Sequence, residues 1–307
     1  MAEKVAVFGS FVVDLMARAP HLPKPAETVK GSVFRMGAGG KGFNQGIAAH
    51  KSGADIAMIT KMGRDAFAKV ALDIMDEIGL SKEHLLYHDT VGTGSAVIMV
   101  DENTSQNKIV IVPGACSTIT VSEVEALRPL LQKCSYLLLQ LEVNQDANER
   151  AAALAEECGC RVILNTAPYQ PVSDAFLARA YMVTPNEVEA EMMTGVHVDS
   201  LESAKKAAAV FYEKGVKVVV ITLGERGVFI SKDGREEILP AFSVPAVDTT
   251  GAGDAFNGGL LTALAEGRDI WQAARFANAL AALSVQKMGA APSMPTRAEI
   301  EAFLKAH

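Results

Sequence analysis

Residues 136–164 read YLLLQLEVNQDANERAAALAEECGCRVIL. The stretch opens on the apolar run Tyr136–Leu139 and closes on Val162–Leu164, with a helical pattern over Asp146–Cys158 between them. Runs apolar on consecutive positions suit strands covered on both faces of a parallel sheet. A strand, a helix and a second strand in so short a span make one parallel crossover unit.

The same alternation extends both ways along the chain. Further strands are expected at Val5–Phe8, Ile56–Thr60, Met182–Thr184 and Val218–Thr222. Helices are expected over Phe43–Lys51, Ala66–Ile78, Val121–Leu131, Glu187–Thr194 and Leu201–Glu213, and two Ala-rich ones over Gly253–Glu266 and Ile270–Val285. This rhythm predicts an α/β fold, a doubly wound and mostly parallel sheet flanked by helices. Residues 11–36 and 94–112 break it: they alternate apolar with polar or small residues and hold no good helix. They read as antiparallel strands of a small second sheet, with the polar turn Asp101–Asn107 between the latter pair. The expected architecture is a single domain, 1–307, with an inserted β-sheet lid.

Composition excludes several functions. With 29 Lys+Arg against 36 Asp+Glu the formal net charge is −7, and no basic block offers a nucleic-acid surface. Cys116, Cys134, Cys158 and Cys160 form no C-x-x-C pair, and the six histidines make no H-E-x-x-H zinc motif. Nothing resembles a signal peptide or the roughly 20 apolar residues of a bilayer span. A soluble, cytoplasmic protein with free thiols is expected.

The strongest local signal is DTTGAGDAF, Asp248–Phe256. A Gly-Ala-Gly turn that opens a helix gathers free N–H groups and the positive end of the helix dipole, so Gly251, Ala252 and Gly253 suit an anion. Asp254 falls in the first turn, where dipole and N–H groups favour the charged carboxylate. An ionised Asp beside an anion hole can take a proton from a hydroxyl while the hole holds a transferring phosphoryl group. A second Gly-rich run, GAGGKGFNQG at Gly37–Gly46, satisfies G-x-G-x-x-G. That match would signal an NAD-dependent oxidoreductase only if it followed the first buried strand, which it does not. Lys41 and Asn44 within it suit a polyhydroxylated ligand better. Asp14, Glu142, Asn186 with Glu189, and the turn Thr222–Gly227 each follow an expected strand. Open α/β sheets bind ligands beyond strand C-termini, so these elements outline one cleft.

With six motifs in order, GGKGFNQ, LQLE, TPNEVEAE, TLGERG, DTTGAGDAF and KMGAAPSMP, the chain resembles the ribokinase family of carbohydrate kinases, the PfkB superfamily, from Gly9 to about Phe303. The resemblance implies ATP-dependent phosphorylation of a sugar's primary hydroxyl, the 5-hydroxyl for a pentose such as ribose or 2-deoxyribose. Asp254 would be the general base, and Gly251–Gly253 the anion hole. Asp14, Gly40, Lys41, Asn44 and Glu142 match sugar-binding positions. Thr222, Gly224, Gly227, Gly253 and Asn278 match the nucleotide site, and Asn186 with Glu189 the N-x-x-E element tied to phosphate and Mg²⁺. An activating monovalent cation, K⁺, would be held by Asp248, Thr250, Ser284, Lys287, Gly289 and Ser293, largely through carbonyls. The lid would also form a homodimer contact.

Two positions depart from the family pattern. Val12 stands where ribose-phosphorylating relatives carry Asn, which either shifts preference toward 2-deoxyribose or marks a residue turned into the core. Phe43 replaces a common Ala and would either narrow the sugar pocket or pack beneath it. A nucleoside or another sugar is the alternative acceptor on the same scaffold, with Phe43 as a possible wall for a base.

Overall fold

A computed structural model describes residues 3–104 and 106–307. The opening crossover unit forms as a strand Cys134–Leu139, a helix Gln145–Glu157 and a strand Arg161–Leu164 paired in parallel. It sits in an eight-stranded sheet. Across that sheet run Arg235–Leu239, Val228–Lys232, Val218–Thr222, Ala180–Val183, Arg161–Leu164, Cys134–Leu139, Lys4–Phe8 and Ile56–Ile59. Alternate residues feed two cores, as doubly wound architecture requires. Val7, Leu138, Ile163 and Val220 pack toward the Lys41–Lys51, Ala252–Ala265 and Ile270–Ser284 helices. Phe8, Leu137, Leu139 and Ile221 pack with residues of Gln145–Glu157 and Leu201–Glu213.

Helices Ala66–Ile78, Glu187–Thr194 and Leu201–Glu213 match expectation to the residue. The expected Val121–Leu131 helix is instead two short ones, Val121–Glu125 and Arg128–Leu131. Pro129 lies in the first turn of the second, where its missing N–H costs nothing, but it cannot continue the first. The helix after the second Gly-rich run starts at Lys41, two residues before Phe43. The elements beyond expectation include a hairpin and a C-terminal helix. Val228–Lys232 and Arg235–Leu239 add an antiparallel hairpin whose turn, Asp233-Gly234, has φ of 50° and 80°. That Asp-Gly pair is a type I′ turn signal. The helix Arg297–Ala306 begins on a capping box, Thr296 with Glu299.

The lid is a four-stranded sheet in the order Val33–Gly39, Val12–Ala19, Thr93–Asp101, Asn107–Gly114. Its two outer pairings are antiparallel as expected, but the central pair, Val12–Ala19 with Thr93–Asp101, is parallel. Two hairpins drawn from distant segments therefore meet through their first strands. Residues 20–32 form no strand. In the polar turn, Asp101 accepts the N–H groups of Asn103 and Thr104; Ser105 lies outside the described residues. Gly37 and Gly39 lie inside a lid strand rather than in the turn after the first sheet strand. The dinucleotide reading of Gly37, Gly39 and Gly42 therefore fails on geometry.

Two helices on one face of the sheet meet closely, Lys41–Lys51 and Ala252–Ala265. Gly258 makes this approach possible, because a β-carbon there would lie 2.5 Å from the Ala48 side chain and 2.7 Å from the Gln45 carbonyl. One turn before Gly258 the second helix carries Asp254.

Candidate active site

The chain leaves Lys4–Phe8 for one neighbour, Ile56–Ile59, and later returns to the other side as Cys134–Leu139. Strand order reverses there, and a crevice opens beyond the C-terminal ends. Residues following these strands meet in it. Glu142 accepts a hydrogen bond from the Ser10 hydroxyl and one from the Lys41 backbone N–H at 2.8 Å. Glu142 thus ties the end of the first strand to the start of the Lys41–Lys51 helix.

Asp254 is 7% exposed, and both of its oxygens are held. Asn44 Nδ2 donates to Oδ2 and Gln45 Nε2 to Oδ1, each at 3.0 Å. Burial raises the Asp254 carboxyl to about 6, against the opposing pull of Lys41 and of these two amides. Desolvation thus outweighs the helix dipole and the other favourable groups. At neutral pH the group is still mostly charged. Asp14, on the lid strand Val12–Ala19, is likewise raised to about 6, by burial and then by the charge of Glu142. The Oδ1 atom of buried Asn44 has no hydrogen-bond partner among the described residues. A buried acceptor in that condition is costly unless a ligand supplies a donor.

Beside Asp254 lies a cavity of about 200 Å³ lined by Lys41, Asn186, Glu189, Thr222 and the Gly251–Asp254 turn, among others. Gly251 caps the Ala252–Ala265 helix in a left-handed conformation (φ 78°) and with no side-chain cap. First-turn amides are therefore left to a ligand, although that of Ala252 donates to the Thr249 carbonyl at 3.2 Å. Asn186 and Glu189 form a reciprocal capping box at the start of Glu187–Thr194 and line the cavity as well. Burial raises Glu189, opposed by the Asn186 N–H and by Lys41. Asn165, Thr184 and Asn257 also line the cavity and were missed, although Asn165 and Thr184 follow strands as Asn186 does. Thr184 donates to Asn257 at 2.6 Å and Asn257 to the Gly253 carbonyl at 2.8 Å, which anchors the Gly251–Gly253 turn.

The remaining expected residues lie around this centre. Val12 is 8% exposed and belongs to neither core, whereas its neighbour Val13 does. By strand alternation Val12 shares a face with Asp14. Gly40 is the N-cap of the Lys41–Lys51 helix. Phe43 is fully buried, edge-on to Phe11 at 4.8 Å, so it packs beneath the site and offers no wall to a base. Gly224 opens a short 3₁₀ turn after Thr222. Gly227 closes it, where a β-carbon would strike the Leu239 carbonyl at 2.0 Å. Asn278 donates to the Pro240 carbonyl at 3.3 Å, which steadies the segment crossing behind that turn. Asp248 accepts the N–H groups of Thr250 and Gly289, each at 2.9 Å. A larger hollow of about 380 Å³, with Glu3, Arg161 and Arg268 in its wall, opens at the opposite end of the sheet, away from Asp254.

A buried carboxylate beside a cavity and an uncapped Gly-rich helix start is an arrangement suited to a phosphotransferase. Residues 2–297 match the model of the pfkB family carbohydrate kinases. The chain is 41% identical to a ribokinase of Haemophilus influenzae, over 99% of both proteins. It is 33% identical to a deoxyribokinase of Salmonella typhimurium, over 98% of both. The solved structure of Arabidopsis thaliana ribokinase complexed with ribose and ATP superposes with a TM-score of 0.93, at 30% identity and 99% coverage of both chains. The chain belongs to the pfkB family of carbohydrate kinases, and its fold is ribokinase-like. It is a phosphotransferase with an alcohol group as acceptor, which removes the oxidoreductase alternative.

The two raised carboxyls set a pH dependence. A protonated Asp254 cannot accept a proton, so turnover is expected to fall as pH drops through about 6, where Asp254 and Asp14 gain their protons. A pH profile of kcat and kcat/KM reads this; full activity at pH 4.5 would contradict it.

Proposed function

We propose that this enzyme transfers the γ-phosphoryl group of ATP to the 5-hydroxyl of a pentose. The observation that carries the reading is the buried Asp254 carboxylate, held at both oxygens beside the uncapped turn Gly251–Gly253. The pentose lies over Asp254, and its hydroxyls meet Asp14, Glu142, Lys41, Gly40 and Asn44, whose free Oδ1 accepts one of them. Asp254 takes the 5-hydroxyl proton as that oxygen attacks the γ-phosphorus in line. The bond to the β-phosphate oxygen breaks and ADP leaves. Amides of the Gly251–Gly253 turn and the Lys41 ammonium neutralise charge on the transferring group. Lid closure excludes water from the reaction.

ATP phosphates run along Thr222, Gly253 and Asn186, with Gly224, Gly227 and Asn278 shaping the base side. No cluster of three or more His, Cys, Asp or Glu able to hold a metal occurs among the described residues. Mg²⁺ keeps waters and binds through phosphates with one or two carboxylates. Glu189, with Asn186, is the carboxylate that fits; Mg²⁺ there supplies Lewis-acid neutralisation of phosphate charge. K⁺ fits a different loop. Asp248 spends its oxygens on Thr250 and Gly289, Ser284 and Ser293 donate to Ala281 and Ala290, and Lys287 pairs with Glu299 at 3.0 Å. Main-chain carbonyls are the donors left, the type K⁺ prefers. An ion held there would brace the turn that carries Gly251.

Val12 supports a preference for 2-deoxyribose over ribose. It lies on the Asp14 face and cannot pair with a hydroxyl; a buried hydroxyl without a partner costs about 1–3 kcal/mol. A homodimer through the lid is supported by Phe34, Met36, Val97, Val110 and Val112, which share one lid face by register and are each exposed. Location in the cytoplasm accords with four free thiols.

Asp254→Asn is expected to keep ATP binding, read by calorimetry, and to lose about 10²–10⁴ in turnover; near-normal turnover defeats the base assignment. For the acceptor, kcat/KM on ribose and 2-deoxyribose is compared. Val12→Asn is expected to raise ribose turnover, whereas a wild-type preference for ribose beyond about tenfold, worth ~1.4 kcal/mol, overturns the Val12 reading. Sedimentation velocity is expected to give a dimer that Val110→Lys with Phe34→Lys dissociates; a monomeric wild type refutes the lid contact.

A further inference from the structure

Gln45 is fully buried, one residue beyond the sugar-facing Asn44, and its amide makes three hydrogen bonds. Nε2 donates to Asp254 Oδ1 and to Asn165 Oδ1, both at 3.0 Å. Oε1 accepts from Gln140 Nε2 at 2.7 Å. The direction of this chain is set by the backbone. Asn165 Nδ2 lies 2.8 Å from the Thr184 carbonyl, which can only accept. Asn165 must therefore turn its oxygen toward Gln45, and Gln45 must answer with its NH₂ group. That same NH₂ faces Asp254. Gln140, fully buried in turn, closes the other side of the Gln45 amide.

Asn44 holds the second oxygen of Asp254 while its own Oδ1 is unpartnered among the described residues, so its bond is open to rearrangement when a sugar enters. Gln45 reaches the first oxygen from the protein side. We propose that Gln45 is the positioning residue of the catalytic base: locked by Gln140 and Asn165, it fixes the Asp254 carboxylate in place and presents its second oxygen to the acceptor hydroxyl. The inference rests on the reading of Asp254 as base and deepens it.

The consequence is specific to the charged form. An N–H donor stabilises the carboxylate and not the neutral acid, so loss of Gln45 moves the Asp254 titration upward from about 6. Other charges near Asp254 are Lys41 on the same helix as Gln45, and Glu142 beyond Cys134–Leu139. Glu189, on the helix Glu187–Thr194, is itself pulled down by Lys41, and Asp14 comes from the lid. Gln45 bonds none of these.

The test uses the full-length enzyme at saturating ATP and sugar, with kcat measured across pH for wild type, Gln45→Met, Asp254→Asn and the double variant. Gln45→Met is expected to lower kcat about tenfold or more at pH 7 and to move the acid limb up by about one pH unit, with KM for ATP within about threefold of wild type. In the Asp254→Asn background it is expected to cost nothing further, because it acts through Asp254. A folded Gln45→Met enzyme with a wild-type acid limb, or one that costs as much without Asp254 as with it, overturns the proposal. If Gln45→Met does not fold, Gln45→Glu has the same shape but replaces the donor with an acid. A lowered kcat with a raised acid limb supports the proposal, and a wild-type profile overturns it. Asp254→Asn with normal turnover would instead sink the base reading itself.

Discussion

A carboxylate buried between two helices is the constraint around which this molecule is arranged. Removing Asp254 from water disfavours its charge, and the base role proposed for it needs that charge. Two amides on one helix and a lysine at its start offset the cost only in part, which leaves the carboxyl near 6. Such a group is mostly ionised at neutral pH and basic enough to receive a proton. The geometry works only if the helices nearly touch, and Gly258 permits this one turn below Asp254. Packing, through a missing side chain, therefore tunes an acid.

The rest of the site is a division of charge. Lys41 acts on both Asp254 and Glu189, each raised by burial and each pulled back by the ammonium. Glu142 works in the other direction, raising Asp14 and Asp254, while its oxygen is held by Ser10 and by the Lys41 amide. Along one crevice, burial and Glu142 thus make carboxyls more basic, while Lys41 pulls two of them back. A net charge of −7 does not argue against phosphate chemistry, because Lys41 and backbone N–H groups can meet an anion locally.

Much of this is legible in the amino-acid sequence itself. Consecutive apolar runs separated by helical spans gave the parallel sheet, and the lid was visible as two stretches without helical period. Lone strand-following residues such as Asp14, Glu142 and Asn186 became one cleft through the rule that ligands sit at C-terminal strand ends. What was missed depended on tertiary contact. The parallel joint of the two lid hairpins pairs segments about 80 residues apart, which no local pattern encodes. Gln45 looked like an ordinary polar residue in a Gly-rich run, and its role emerges only when Asn165 and Asp254 arrive from other elements. Desolvation of Asp254 was invisible for the same reason: the dipole is local, whereas burial is not. Two overlooked elements did carry signals, the Asp233-Gly234 turn and the Thr296/Glu299 capping box.

The central claim is that one buried carboxylate titrates near neutrality because of where it lies. Carbon-13 NMR of aspartate side chains, with the Asp254 resonance assigned by its absence from Asp254→Asn, measures this without reference to turnover. The result expected is a midpoint near 6, with the carboxylate ionised at pH 7.5. A midpoint at the ordinary 3.8, or a carboxyl still protonated at pH 8, would contradict the coupling of burial to base strength.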